Sequence, residues 1–313
     1  MIYLTIVSLI WAFSFGLIGN ALTGVDSFLI ATIRLGCASL LFIPMLKVNE
    51  ISVRDRVRLL FYGAVQFGLM YSLYMRAFHY IPSHLVAIFS ILTPVYVVLI
   101  NDIRQRKFSW RYLLVAILSV VGAAIIKAKA VPNGDIWIGF ILMQGAGLAF
   151  AFGQVAYRDW KYNNQQINDR NVFSLLTIGG TLCTACFSAL LTDWSTLEIN
   201  SDQWKSILYL GFVASGIGFF LWNKGASLSN PGTLAAFNNA VVPLAVICSL
   251  FIFGEIKNIE DGALFKLASG AILIFGAVMI AQFSSKVNTD LLKDLEASEE
   301  SKKLQTLISY KVK

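Results

Sequence analysis

Apolar stretches about as long as a bilayer crossing alternate with short polar ones along most of the chain. A membrane-spanning helix needs about 20 apolar residues. Ten stretches fit: residues near 2–20, 26–46, 59–79, 84–101, 110–127, 136–157, 171–192, 205–223, 231–253 and 264–283. The pattern stops at Phe283, and residues 284–313, with six lysines and five acids, predict a polar cytoplasmic helix or disordered tail.

The pattern also repeats. A shift of 149 places Pro82 on Pro231 and Pro94 on Pro243, so four of the six prolines pair at one offset. Ala12–Gly16 and Ala149–Gly153 agree at four of five positions, and Val121–Ala124 weakly matches Phe275–Val278. Segments 1–5 (residues 1–128) are thus expected to recur as segments 6–10 (135–283), with 284–313 as the tail. Five is odd, so the second copy enters the membrane from the opposite face. The expected fold is all-α integral membrane: ten transmembrane helices as two inverted five-helix repeats, the plan of alternating-access carriers. Pro94 and Pro243, each inside a span, are the expected hinges.

Composition removes the soluble alternative. Hydrophobic residues make up 57% and charged residues 14%, against about 25% charged in ordinary soluble domains. The formal charge of +7 would suit nucleic acid, but its distribution speaks for topology. With the N-terminus in the cytoplasm, 18 basic residues fall in the cytoplasmic loops and tail and 5 on the other side. Both termini are then cytoplasmic. The first segment lacks a basic leader and a cleavage site, so it reads as an uncleaved span.

Few motifs carry chemistry. HExxH, GxSxG, Walker A and paired intramembrane aspartates are all missing, so neither an enzyme nor an ATP-driven pump is expected, and no catalytic residue, cofactor or metal is assigned. Cys183 and Cys186 form a CxxC in mid-span and read as small core residues. His79 and His84 flank an outer turn and read as interfacial.

Only Arg34 and Arg76 place a basic side chain within spans. Arg34 lies eight residues past Asp26, about 12 Å into a core about 30 Å thick. Such depth is costly unless the guanidinium faces protein or water. No carboxylate shares that depth. The site is therefore expected to be net positive and suited to a carboxylate or phosphate; a structural anchor on helix-end carbonyls is the other reading of Arg34, and snorkelling the other reading of Arg76. Uncharged candidates are Gln66, Tyr71, Tyr74, Ser90, Gln144, Gln154, Asn223, Asn238 and Asn239, with Trp11, Phe13 and Phe15 as an aromatic wall. The substrate-binding set expected from these is Trp11, Phe15, Arg34, Tyr71, Arg76, Ser90, Gln154, Asn238 and Asn239.

Ile10-Trp11-Ala12-Phe13-Ser14-Phe15, Ala31-Thr32-Ile33-Arg34-Leu35, Leu92-Thr93-Pro94, Val241-Val242-Pro243 and Phe253-Gly254-Glu255 resemble the drug/metabolite transporter superfamily. The likeness is to its ten-helix branch built from two EamA domains, and it covers about residues 1–283. It implies a secondary carrier in the bacterial inner membrane that moves small metabolites, foremost amino acids or related carboxylates, often outward. A carrier or flippase for a phosphate-bearing metabolite or lipid is the alternative. The expected partners are a small-molecule substrate and the lipid bilayer, with room for a homodimer and no nucleic acid. Two departures stand out: Asn101-Asp102-Ile103 replaces the Gly-Glu of the second repeat, and segment 1 lacks the glutamate of the four-helix drug exporters.

Overall fold

A computed structural model describes residues 1–22, 24–77, 79–81, 83–127, 136–194, 199–252, 262 and 264–283, and no β-strand occurs among them. The α-helices are α1 (Ile2–Ala21), α2 (Ser27–Phe42), α3 (Val53–Gly63), α4 (Met70–Ala77), α5 (Ser83–Phe89), α6 (Thr93–Gln105), α7 (Trp110–Lys127), α8 (Trp137–Asn163), α9 (Phe173–Leu191), α10 (Ser201–Tyr209), α11 (Gly218–Ser227), α12 (Pro231–Phe251) and α13 (Leu264–Phe283). A π-helical turn, Ala64–Leu69, joins α3 to α4, and a second, Leu210–Ile217, joins α10 to α11. A 3₁₀ turn, Ser90–Leu92, joins α5 to α6.

Helices are the natural outcome of this sequence, because in hydrocarbon every backbone N–H and C=O must be paired within its own segment. Among the described residues, six helical stretches are long and apolar enough to cross a membrane: Ser27–Met45, Trp137–Asn163, Phe173–Leu191, Ser201–Ser227, Pro231–Cys248 and Leu264–Phe283. Their outward faces are greasy. Leu182, Leu190, Phe265 and Ile272 are largely exposed, which would be unfavourable in water and is satisfied by lipid tails.

Side-chain caps set several helix starts. The Asp26 carboxylate accepts the Leu29 N–H at 2.8 Å, and the Thr192 hydroxyl donates to the same oxygen at 2.6 Å, tying the end of α9 to the start of α2. Asn200 and Gln203 form a capping box on α10. Asn230 caps α12, with Pro231 in the first turn, and reaches the Ala281 carbonyl on α13 at 3.2 Å.

The third span begins earlier than its hydropathy suggests. Ser52 accepts the Asp55 N–H at 3.1 Å and starts the helix at Val53. The first two turns carry Arg54, Asp55, Arg56 and Arg58, so an apolar window excludes them. The two prolines expected as hinges sit differently. Pro94 lies in the first turn of α6, directly after the 3₁₀ turn, where its missing N–H costs nothing. Pro243 lies in the interior of α12. Pro82, residues 253–261 and the tail 284–313 lie outside the described residues.

Glycines let backbones meet. A Cβ at Gly63 would overlap the Leu176 backbone on α9, and one at Gly179 would overlap the Leu60 carbonyl on α3. Gly211, in turn, lies on Cys37 and Arg34 of α2, with Gly216 against Leu41 and Ala38. Gly122 of α7 and Gly270 of α13 meet reciprocally, each facing the other's carbonyl oxygen.

Candidate functional site

The site is built around the two π-turns. A π-turn replaces i→i+4 hydrogen bonds with i→i+5 ones, which leaves a carbonyl free and is frequent at functional sites. In the second π-turn the freed carbonyl is that of Ala214, and the Trp11 indole N–H donates to it at 2.9 Å. The next residue, Ser215, is fully buried, and its Oγ accepts a hydrogen bond from Arg34 Nε at 3.0 Å. The Arg34 guanidinium lies over the Tyr71 ring, 5.3 Å from its centroid.

Arg34 is 6% exposed. Arginine carries five N–H donors, and among the described residues only Nε finds an acceptor. No described carboxylate forms an ion pair with it. A cation–π contact on a desolvated ring contributes up to about 2 kcal/mol, while the penalty for burying a charge is several kcal/mol. The two terminal nitrogens are thus left as a planar donor fork without an anion, the geometry that pairs bidentately with a carboxylate or phosphate.

Beside this cation stands a box of aromatic rings. Phe219, on α11, lies at its centre: Phe67 stacks on it at 4.4 Å, Trp11 meets it edge-on at 5.5 Å and Tyr71 at 6.1 Å. Trp222, one turn further on, is 5.0 Å from Trp11 and stacks with Phe150 of α8 at 6.0 Å. The rings come from α1, the first π-turn, α4, α8 and α11, so the box joins both halves of the chain.

The first π-turn presents a side chain where the second presents a bare carbonyl. Gln66 is fully buried against Gly153 of α8, and neither its Oε1 nor its Nε2 is hydrogen-bonded. Gly153 admits it, because a Cβ there would overlap the Gln66 side chain. On α11, Trp222 Nε1 and Asn223 Oδ1 are also buried without a partner.

Of the expected site residues, the structure brings Trp11, Arg34 and Tyr71 together. Gln154 and Asn238 form a reciprocal amide pair, at 3.3 and 3.2 Å, between α8 and α12. Asn239 donates to the carbonyls of Ile91 (3.0 Å) and Ser119 (3.2 Å), so its amide fastens α12 to the 3₁₀ turn and to α7. Ser90 lies in that turn, and its carbonyl accepts the Thr93 hydroxyl at 2.8 Å. Arg76 is exposed, 5.7 Å from the Tyr80 ring and apart from the Arg34 box, as a long basic side chain near a helix end can be. The side chain of Phe15 lies outside the described residues. Phe67, Phe150, Ser215, Phe219 and Trp222 were not expected at the site; the run of small residues Gly211, Ala214, Ser215, Gly216 and Gly218 was the available signal.

A further group of polar contacts ties several helices together. Tyr157 Oη donates to Asp169 at 2.6 Å, and Lys224 reaches the other carboxylate oxygen at 3.3 Å while lying 5.7 Å from the Tyr3 ring. Arg104 and Asp159 pair nearby in sequence to Arg158, which donates to Asn101 at 2.6 Å.

This is an all-helical, multi-pass membrane protein that holds, beside an aromatic box, a buried cation with no ion-pair partner among the described residues. The chain belongs to the EamA-like transporter family, whose model matches residues 1–128 and 136–282. It is therefore a transporter of a small metabolite and not an enzyme. It is similar to the biotin transporter of Escherichia coli (strain K12), 34% identical over 304 residues covering 96% of this chain and 100% of that protein. The biotin transporter of Salmonella typhimurium is 36% identical over 257 residues, 82% of this chain and 85% of that one. The probable biotin transporter of Pseudomonas aeruginosa is 34% identical over 283 residues, 90% and 96% of the two chains. A solved crystal structure shares the fold, with a TM-score of 0.73 over 90% of this chain and 97% of that one, at 16% identity.

Proposed function

We propose that this chain carries biotin across the bacterial inner membrane, with the biotin carboxylate held by Arg34. The buried guanidinium without an acid carries the reading. Biotin joins a carboxylate on a flexible aliphatic chain to a compact bicyclic head, and the head suits the rings of Trp11, Phe219, Trp222 and Phe150. The relatives named above favour biotin over the amino acids that the superfamily likeness suggested, and nothing in them favours export.

In this proposal the ten helical rods span the membrane as two inverted five-helix repeats, 1–128 and 135–283, which alternate access to the box. The two separate family matches support the division. So do the glycine pairs Gly63/Gly68 and Gly211/Gly216, both five residues apart and related by one offset of 148. The charge distribution supports cytoplasmic termini.

The test is flux of radiolabelled biotin into proteoliposomes containing the purified protein, with alanine and a phosphorylated metabolite as competitors. Saturable biotin flux, abolished by excess cold biotin and unaffected by the other two, is expected. Biotin movement no faster than in protein-free vesicles sinks the proposal, and competition by the phosphorylated compound favours the phosphate carrier.

A further inference from the structure

We infer that Gln66, Trp222 and Asn223 form a recognition site for a cyclic urea, the head group opposite the carboxylate in the substrate proposed above, on whose identity this inference rests. The argument is one of hydrogen-bond inventory. Four atoms of these three residues are buried and unpaired among the described groups: Gln66 Nε2 and Trp222 Nε1, which donate, and Gln66 Oε1 and Asn223 Oδ1, which accept. A cyclic urea offers the complement, one carbonyl oxygen with two lone pairs and two ring N–H groups. Two donors meet the oxygen and two acceptors meet the N–H groups.

The three residues are held in one neighbourhood. Gln66 precedes Phe67, whose ring stacks on Phe219 at 4.4 Å, and Asn223 follows Phe219 by one turn and donates its Nδ2 to the Phe219 carbonyl at 3.0 Å. Gln66 packs on Gly153, one turn along α8 from Phe150, and Phe150 stacks on Trp222. Arg34 lies over Tyr71, whose ring meets the same Phe219 at 6.1 Å. One set of rings is thus shared by an anion-binding group and by amide-binding groups, as a molecule that carries both a carboxylate and a urea requires.

Buried polar groups without partners are rare in native proteins. Sites built to hydrogen-bond a ligand also reject analogues that lack the matching groups far more strongly than apolar pockets discriminate by size. The inference therefore predicts selectivity as well as affinity. Desthiobiotin keeps the cyclic urea and loses the sulfur; lipoate keeps a carboxylate on a similar chain and has no urea.

The experiment measures biotin KM in proteoliposomes, with desthiobiotin and lipoate as competitors, for the wild type and Gln66→Met, which keeps length and removes the amide. Expected is a rise in biotin KM of roughly tenfold or more, a parallel weakening of desthiobiotin and an unchanged inhibition constant for lipoate. An unchanged KM overturns the inference, as does an equal loss for biotin and lipoate. If Gln66→Met does not fold, Gln66→Asn retains the amide one methylene short; a raised KM for biotin with lipoate unaffected supports the site, and wild-type KM overturns it. Wild-type protein that neither binds nor moves biotin overturns the biotin reading and the urea site with it, whereas wild-type flux with an indifferent Gln66→Met overturns the urea site alone.

Discussion

The two π-turns make an instructive pair. Ala64–Leu69 and Leu210–Ile217 each follow a short amphipathic helix, each has a pair of glycines five residues apart at or within its ends, and each packs a glycine onto a neighbouring helix. Five residues are about 1.4 turns of α-helix, so an α-helix would point the two glycines to different sides; the wider π-turn brings them closer to one face. The contents differ. The second turn, apart from Phe212, is small or aliphatic, and it offers its backbone to Trp11 and a hydroxyl to Arg34. The first offers Gln66 and Phe67 at the positions of Ala214 and Ser215. The same backbone device thus serves two chemistries, one by leaving a carbonyl bare and one by seating a side chain.

The comparison can be broken most severely at Gly63. Its Cβ would meet backbone, which cannot give way, so Gly63→Val is expected to cost at least about 3 kcal/mol, the top of the usual range for overpacking. Fluorescence-detected size-exclusion chromatography would show little monodisperse protein. Arg34→Gln comes next. Loss of a charge-assisted bidentate contact is expected to raise biotin KM roughly 10- to 100-fold at normal expression; lost expression would instead mark Arg34 as an anchor of the fold. Asn239→Leu leaves two backbone carbonyls without their donor and is expected to lower stability by about 1–3 kcal/mol, read as a drop in melting temperature with biotin KM unchanged. Trp11→Phe keeps an aromatic face, though a smaller one, and removes the hydrogen bond to Ala214, about 1 kcal/mol, and should raise KM a fewfold. Gly216→Val is the mildest, because its nearest neighbour is the end of the Leu41 side chain at 3.1 Å; near-normal melting is expected, in contrast to Gly63→Val.

Much of the scaffold could be read from the chain, since lipid solvation leaves its mark directly on residue type. Long apolar windows located the helical rods, and the lack of intramembrane acids isolated Arg34. What could not be read was hydrogen-bond register. Nothing in Ala64–Leu69 or Leu210–Ile217 names a π-turn, because side-chain polarity does not encode whether a backbone bond runs to i+4 or i+5. Pairing across the fold was equally hidden: Asn238 and Asn239 look alike in sequence, yet one faces Gln154 and the other bonds the Ile91 and Ser119 carbonyls. A helix sends adjacent residues about 100° apart, so neighbours meet different partners. Arg76 and Arg34 differ for a related reason. The first sits close enough to a helix end for its long stem to carry the charge outward, and the second does not.

The reciprocal contact of Gly122 and Gly270 has a mechanical side. Helices that meet through interlocked side chains must change rotamers, or climb over one another's ridges, whenever they slide or roll. Where α7 crosses α13 the two glycines bring backbone to backbone, and Ile126 of α7 and Leu273 and Ile274 of α13 close over them, so each helix lodges its ridge in the other's notch. A latch of this sort fixes the crossing point of its two rods, so a bulky residue at either glycine should pry α7 and α13 apart there.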